Sequence, residues 1–177
     1  IFGKMGISES VFQFMLVNML LALSIYITLY SGMFSLANAG FMAIGAYVGV
    51  IATQTYALPL WVGLITGMAG AGLAAWLLGL PVLRLHDIYL AIATIGFSEI
   101  VRIIILNFDS IISSIAGSRI VLTGGALGIK GIPKITQTWH LVFFLILVIL
   151  VLQRLEKSRF GRSMRAIRDD EDIAAGS

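Results

Sequence analysis

The feature that most constrains the fold of this chain is a long stretch without charge. No Asp, Glu, Lys or Arg lies between Glu9 and Arg84, and only 12% of the 177 residues are charged whereas 59% are hydrophobic. Soluble domains carry about 25% charged and about 45–50% apolar residues. A soluble fold could not bury an uncharged run of this length, so we expect an integral membrane protein.

The apolar runs predict where the chain crosses the membrane, because a spanning helix needs about 20 mostly apolar residues. One run is short for a full crossing, and the others are long enough or nearly so; they cover 11–30, 41–54 (the short one), 58–83, 89–108 and 139–152. The predicted fold is therefore all-α, a polytopic transmembrane helical bundle. Residues 1–157 form its transmembrane domain, with about five membrane segments and a Gly-rich loop at 109–138.

The distribution of basic residues predicts the orientation. Cytoplasmic segments next to membrane spans are enriched in Lys and Arg, and such residues cluster after the last apolar run: Arg154, Lys157, Arg159, Arg162, Arg165 and Arg168. Segment 158–177 is then cytoplasmic and loop 109–138 external, although Lys130 and Lys134 oppose this assignment.

Segment 158–177 is dense in charge, with its arginines followed by an acidic run, 169–172. The i,i+4 pairs between the two groups allow one continuous helix, whereas Asp169 or Asp170 could instead cap a second one. An ordinary solvated loop is the plainer interpretation. The small residues that follow, 174–176, favour docking on a partner, since small side chains permit close approach.

A second unusual segment is Ser31–Gly40, in which Gly, Ser and Asn interrupt the apolar pattern. In a membrane, irregular backbone is stable only where protein or water satisfies its polar groups. A broken helix lining a pathway would meet that condition, and its free amide groups could face a substrate carboxylate. A turn at the cytoplasmic surface explains the pattern equally well. The candidate pathway residues here are Ser35, Asn38 and Gly40.

Glu99 and Arg102 lie three residues apart near the middle of the run 89–108. Ionisable residues within membrane spans are costly and usually paired or functional. Their spacing allows an ion pair on one helix face. We consider both a pathway or gating pair and a structural pair at an interface within the bundle or between subunits.

Several classes of chemistry are not indicated by the sequence. The chain has no cysteine, which excludes disulfides and thiolate metal sites. The glycines of 123–133 are not followed by a GK[ST] sequence, and no HExxH or GxSxG motif occurs. We therefore predict no catalytic residue, no metal site, no cofactor and no enzymatic activity. The net charge of +3 does not indicate nucleic-acid binding, because topology accounts for it.

Four stretches of the chain carry a recognisable pattern: SGMFSLANAGFMAIGAY (31–47), LRLHDIYLAIATIGFSEIVRIIIL (83–106), LTGGALGIKGIP (122–133) and GRSMRAIRDDEDIAAGS (161–177). Together they resemble the permease subunits of branched-chain amino acid importers of the ATP-binding-cassette (ABC) class, within a wider family that includes urea and ribose permeases. Two residue pairs differ from the family pattern. His86–Asp87 replaces a basic residue followed by Gly, and Ala37–Asn38 replaces Gly-His.

The resemblance implies a multi-pass protein of the bacterial inner membrane that moves Leu, Ile or Val by alternating access. Its implied partners are a second permease subunit, two cytoplasmic ATPase subunits that bind ATP and Mg, a periplasmic substrate-binding protein and membrane lipid. The ATPases would bind a short coupling helix formed by Arg165, Arg168, Asp169, Asp170, Glu171, Ala174, Ala175 and Gly176. Family members continue beyond this motif, so we expect a truncated permease. The alternatives are urea or short-amide import, a secondary transporter or channel without an ATPase, and a structural membrane anchor.

Overall fold

The computed structural model describes residues 9–55, 58–82, 84–85, 87–118, 121–132, 136–159 and 161–162. Within these ranges the regular structure is entirely helical, which confirms the all-α prediction. The elements are α1 (Glu9–Tyr30), α2 (Asn38–Thr55), α3 (Leu60–Val82), α4 (Asp87–Ala116) and α5 (Thr138–Lys157), with one 3-10 turn at Gly125–Leu127.

Among the described helices, α1, α3, α4 and α5 are long and apolar enough to cross a membrane. Helix α2 has 18 residues and does not join that group, in line with the short apolar run in the sequence. Large apolar side chains cover the outside of these helices, including Phe14, Met68 and Ile88. An apolar exterior of this kind suits a protein that is solvated by lipid.

The chain divides into two compact units, 1–35 with 136–177, and 36–135. In the first unit α1 and α5 run parallel. The Gln13 amide donates to the Thr138 hydroxyl at 3.0 Å near the start of both helices, and the Tyr26 hydroxyl donates to the Glu156 carboxylate at 2.7 Å near their ends. Polar contacts thus fix the register at each end, and most residues between them are apolar.

In the second unit α2 and α3 pack antiparallel through glycines at four-residue spacing. A Cβ added to Gly49 would lie 2.9 Å from the Gly63 carbonyl oxygen, and one added to Gly67 would lie 2.6 Å from that of Gly45. Both distances are shorter than carbon and oxygen tolerate. The two backbones therefore touch, as small-residue faces allow in membrane helices.

Helix α4 packs against α2 in the same unit. The rings of Phe41 and Phe97 are 5.1 Å apart, and a Cβ on Gly40 would lie 3.0 Å from the Phe97 ring. Helix α4 also continues through Asp109 to Ala116. The irregular connection therefore begins later than the sequence suggests. The Asp109 carboxylate does not end the helix, because it accepts hydrogen bonds from the loop that follows.

Candidate functional site

Leu36, which precedes α2 in the second unit, is held against α4 by hydroxyl groups. The Leu36 backbone N–H donates to the Thr94 hydroxyl oxygen at 3.0 Å, and the Ser98 hydroxyl donates to the Leu36 carbonyl at 3.1 Å. Both polar groups of one irregular residue are thus satisfied by two α4 side chains that lie four residues apart. Thr94 is fully buried, and its hydroxyl also donates to the carbonyls of its own helix at 2.9 Å.

The position of this contact along α4 shows where α2 begins. The charged residues Arg84 and Asp87 directly precede the apolar run of α4, so the run enters the hydrocarbon near Ile88. At about 1.5 Å per residue, Thr94 and Ser98 lie about 9 Å and about 15 Å along the helix from that point. The contact with Leu36 thus lies within the apolar length of α4, about 9–15 Å from its charged start.

The candidate residues of the break are distributed over both units. Ser35 belongs to the first unit, where its N–H donates to the Met33 carbonyl at 3.1 Å. Asn38 and Gly40 belong to the second unit and form the first turn of α2. Asn38 is buried. Gly40 allows the close approach of α4, because a Cβ there would lie 3.2 Å from the Ser98 Cα.

Glu99 and Arg102 form the ion pair that their spacing allows. The Arg102 guanidinium donates twice to the Glu99 carboxylate, at 2.6 Å and 2.9 Å. The pair lies on the outside of α4, with relative side-chain exposures of 61% for Arg102 and 52% for Glu99. Such a pair does not suit contact with lipid tails. Another protein surface or a water-filled path is expected to meet it.

A second polar cluster fastens the Gly-rich loop to the far end of α4. The Asp109 carboxylate accepts hydrogen bonds from three consecutive backbone N–H groups, those of residues 122, 123 and 124, each at 2.8 Å. The Thr123 hydroxyl donates to the Ile105 carbonyl at 3.1 Å. Gly124 and Gly125 adopt positive φ values of 69° and 54°, which glycine accepts without the usual steric cost. We call this arrangement the Asp109 clasp.

The predicted coupling residues, from Arg165 to Gly176, lie outside the described residues. The chain that leads to them is described and turns sharply after α5. The Ser158 hydroxyl accepts from the Gly161 N–H at 3.1 Å, and the Arg162 N–H donates to the Ser158 carbonyl at 3.2 Å. A Cβ on Gly161 would collide with the Leu155 carbonyl oxygen. The first residue of the fourth sequence motif is thus needed for the turn itself.

Three contact residues were missed by sequence reasoning. Thr94 and Ser98 are small hydroxyl residues on one helix face, a pattern also common in ordinary helix packing. Asp109 was interpreted as the start of a loop. A signal was nevertheless present, because a charge at the end of an apolar run and a glycine cluster soon after it are complementary: a carboxylate accepts hydrogen bonds, and glycine-rich backbone can present several donors together.

These features define a polytopic membrane protein in which the region just before α2 is hydrogen-bonded to a neighbouring candidate span, α4. The family of the branched-chain amino acid transport system permease component matches residues 6–177. The chain is 38% identical over 165 aligned residues to the high-affinity branched-chain amino acid transport system permease protein LivM of Escherichia coli strain K12. It is 37% identical over 165 aligned residues to the protein of the same name from Salmonella typhimurium strain LT2.

The chain belongs to this permease family. Both alignments cover 80% of the chain and 39% of the relative, so the chain spans about two fifths of the length of these curated relatives. No solved structure matches it.

Proposed function

We propose that the chain is the membrane-spanning part of a permease subunit in an ABC importer that moves branched-chain amino acids across the bacterial inner membrane. The observation that supports this proposal is the contact of Leu36, just before α2, with Thr94 and Ser98 inside the apolar run of α4. We place this helix start at membrane depth, where the interrupted helices of transporters build their substrate sites. Family membership supplies the substrate class.

The first turn of α2 is suited to a carboxylate. Backbone N–H groups at a helix start have no partner within the helix, and the helix dipole adds partial positive charge there. In the second unit the candidate pathway residues at this level are Asn38 and Gly40, and Ser35 is a separate candidate in the first unit. The pathway then forms where α2 begins.

The pair Glu99–Arg102 has two possible roles in such a permease. It could line or gate the pathway, or it could face the second permease subunit as a structural contact. Its exposure on α4 is compatible with either role, since both would cover it with something other than lipid tails.

Energy for transport would come from two partner ATPases on the cytoplasmic side, because the sequence has no GK[ST] nucleotide motif of its own. ATP and Mg would bind to those partners, and the permease itself would carry no cofactor. The basic residues after α5 support a cytoplasmic position for the segment that includes Arg165–Gly176. A periplasmic binding protein would deliver the substrate from the opposite side.

Charge reversal of the acidic run tests the coupling role. Lysine at Asp169, Asp170, Glu171 and Asp172 should abolish ATP-driven leucine uptake by the assembled transporter while membrane insertion is unchanged. The control is Asp87→Lys, an acidic residue on the same predicted side of the membrane but outside the segment, and uptake should persist there. Uptake that survives the reversal would rule out the coupling role.

Glu99→Gln separates the two roles of the ion pair. A pathway or gating role predicts normal expression and assembly with altered transport. Loss of expression or assembly would instead support the structural role.

The same preparation distinguishes the alternatives in substrate and energy source. Urea or a short amide can replace leucine in the uptake assay, and an ion gradient without ATP tests for a secondary transporter.

A further inference from the structure

The Asp109 clasp shapes a cavity between the far end of α4 and the Gly-rich loop. The cavity has a volume of about 700 Å³, which is within the range of about 300–1,000 Å³ that is usual for small-molecule sites. All its lining residues lie in the second compact unit. It lies at the end of α4 that the proposed topology places outside, where an importer receives its substrate.

The lining combines an aliphatic wall with polar groups. Its apolar side chains are Leu106, Val121, Leu122, Leu127 and Ile129. The polar ones include Gln54 from α2 and Ser110 and Ser113 from α4. The loop contributes backbone through its glycines, which leave room beside the wall.

Two charged side chains of opposite sign line the cavity, Asp109 and Lys130. A carboxylate can accept about four hydrogen bonds, and the clasp uses three of them, two on Oδ1 and one on Oδ2. The remaining capacity suits an ammonium group. The Lys130 ammonium suits a carboxylate. One acid, one base and an aliphatic wall are together complementary to a zwitterion with a branched aliphatic side chain.

We infer that this cavity is an entry site for aliphatic amino acids, with Asp109 and Lys130 binding the two charged ends and the aliphatic wall holding the side chain. The inference rests on the proposed function and extends it. It adds a site at the mouth of the permease that is separate from the start of α2.

The absence of cysteine from the sequence allows a direct test by protection from labelling. Ser110→Cys places a single thiol in the lining, and Ser114→Cys places one on the same helix outside the lining. Both serines are exposed. Each variant is assembled with its transporter partners in lipid vesicles and treated with a membrane-impermeant maleimide, with and without leucine.

Leucine should protect the thiol at 110 and leave the thiol at 114 unaffected. At leucine tenfold above its Kd, mass action leaves about one site in eleven free, so labelling should slow by about tenfold. Glutamate, isocaproate (without the ammonium group) and isoamylamine (without the carboxylate) should protect far less at equal concentration. Unchanged labelling, equal slowing at both positions, or equal protection by isocaproate or isoamylamine would each overturn the inference.

Filling the cavity provides an independent test. Leu106→Trp in the Ser110→Cys background should remove protection by leucine, whereas Ile103→Trp, an exposed position on α4 outside the lining, should preserve it. Leucine uptake measured in the same vesicles separates the two proposals. Uptake without protection at 110 would reject the entry site alone, whereas absence of both would reject the proposed function as well.

Discussion

Two irregular stretches of the second unit, at Leu36 and at 122–124, are both hydrogen-bonded to side chains of α4, but the side chains differ in charge. At the helix break, irregular backbone at Leu36 is satisfied by the neutral hydroxyls of Thr94 and Ser98. At the Gly-rich loop, three successive backbone N–H groups converge on the ionised carboxylate of Asp109. One helix thus holds one irregular segment near its start and another near its end.

The difference follows from depth in the membrane. Thr94 and Ser98 lie about 9–15 Å inside the apolar run, where a lone charge would be costly to bury. Asp109 lies about 31 Å from Ile88 at 1.5 Å per residue, close to the far boundary of a core about 30 Å thick. A charge is tolerated there, and hydrogen bonds to a charged group are the stronger kind. The break should therefore be held weakly and the loop firmly.

The largest expected effect comes from removing the carboxylate. Asp109→Ala should lower the free energy of local opening of the loop by about 2–3 kcal/mol, because hydrogen bonds to charged groups contribute about 1.5–3 kcal/mol each and water replaces part of them here. Amide hydrogen exchange at 122–124 should then rise by about 30-fold or more. Asn107→Ala is the control, since that side chain bonds only to the Ile103 carbonyl of its own helix. Unchanged exchange would contradict a firm clasp.

The shape of the clasp can be tested through its glycines. Gly124→Ala should destabilise the loop by about 2 kcal/mol, since its φ of 69° strains any side chain and the new Cβ would collide with the Gly128 carbonyl oxygen. Gly117 has a similar φ of 65°, but a Cβ there would meet open space. Gly117→Ala should therefore destabilise the chain locally by only about 1 kcal/mol. Equal exchange rates in the loop of both variants would show that the collision is relieved at no cost.

Removing the hydroxyl at 94 tests the helix break. Thr94→Val retains the shape but leaves the Leu36 N–H without its acceptor, which should lower the free energy of unfolding in a bilayer mimic by about 1–2 kcal/mol. Thr66→Val is the matched control, because the hydrogen bonds of the Thr66 hydroxyl go to carbonyls of its own helix and not to another segment. If both variants lose the same stability, the contact with Leu36 contributes nothing specific.

The smallest effect is expected at Ser98. Ser98→Ala removes the donor to the Leu36 carbonyl, and interhelical hydrogen bonds in membranes average about 0.6 kcal/mol. Ser114→Ala, which loses only a bond to the Ser110 carbonyl, should have almost no effect on the free energy of unfolding. If Ser98→Ala lowers the free energy of unfolding more than Thr94→Val does, the Ser98 hydroxyl contributes more stability than the Thr94 hydroxyl, contrary to this prediction.

The sequence predicts the helices well because composition decides them. The uncharged run and the lengths of the apolar segments are sufficient for α1, α3 and α5. Helix α3 contains Pro81 and ends at the next residue, Val82. Composition does not predict the end of α4. Asp109 ends an apolar run in the sequence, but α4 continues through it to Ala116. The helix can continue because the Asp109 carboxylate accepts hydrogen bonds from residues that follow it in the chain.

The candidate site was predicted in part. The sequence identifies Ser31–Gly40 as interrupted, but it does not show which residues pack against Leu36. The sequence alone therefore leaves both a pathway and a surface turn open. The pairing of Glu99 with Arg102 followed from spacing alone. Their exposure did not, because spacing does not show which face of α4 the rest of the chain covers.

The glycine contact between α2 and α3 limits how this unit can move. With Gly49 and Gly67 each against a facing backbone oxygen, neither helix can rotate about its own axis without a clash. The α2–α3 pair should therefore move as one rigid body in any conformational change of this unit.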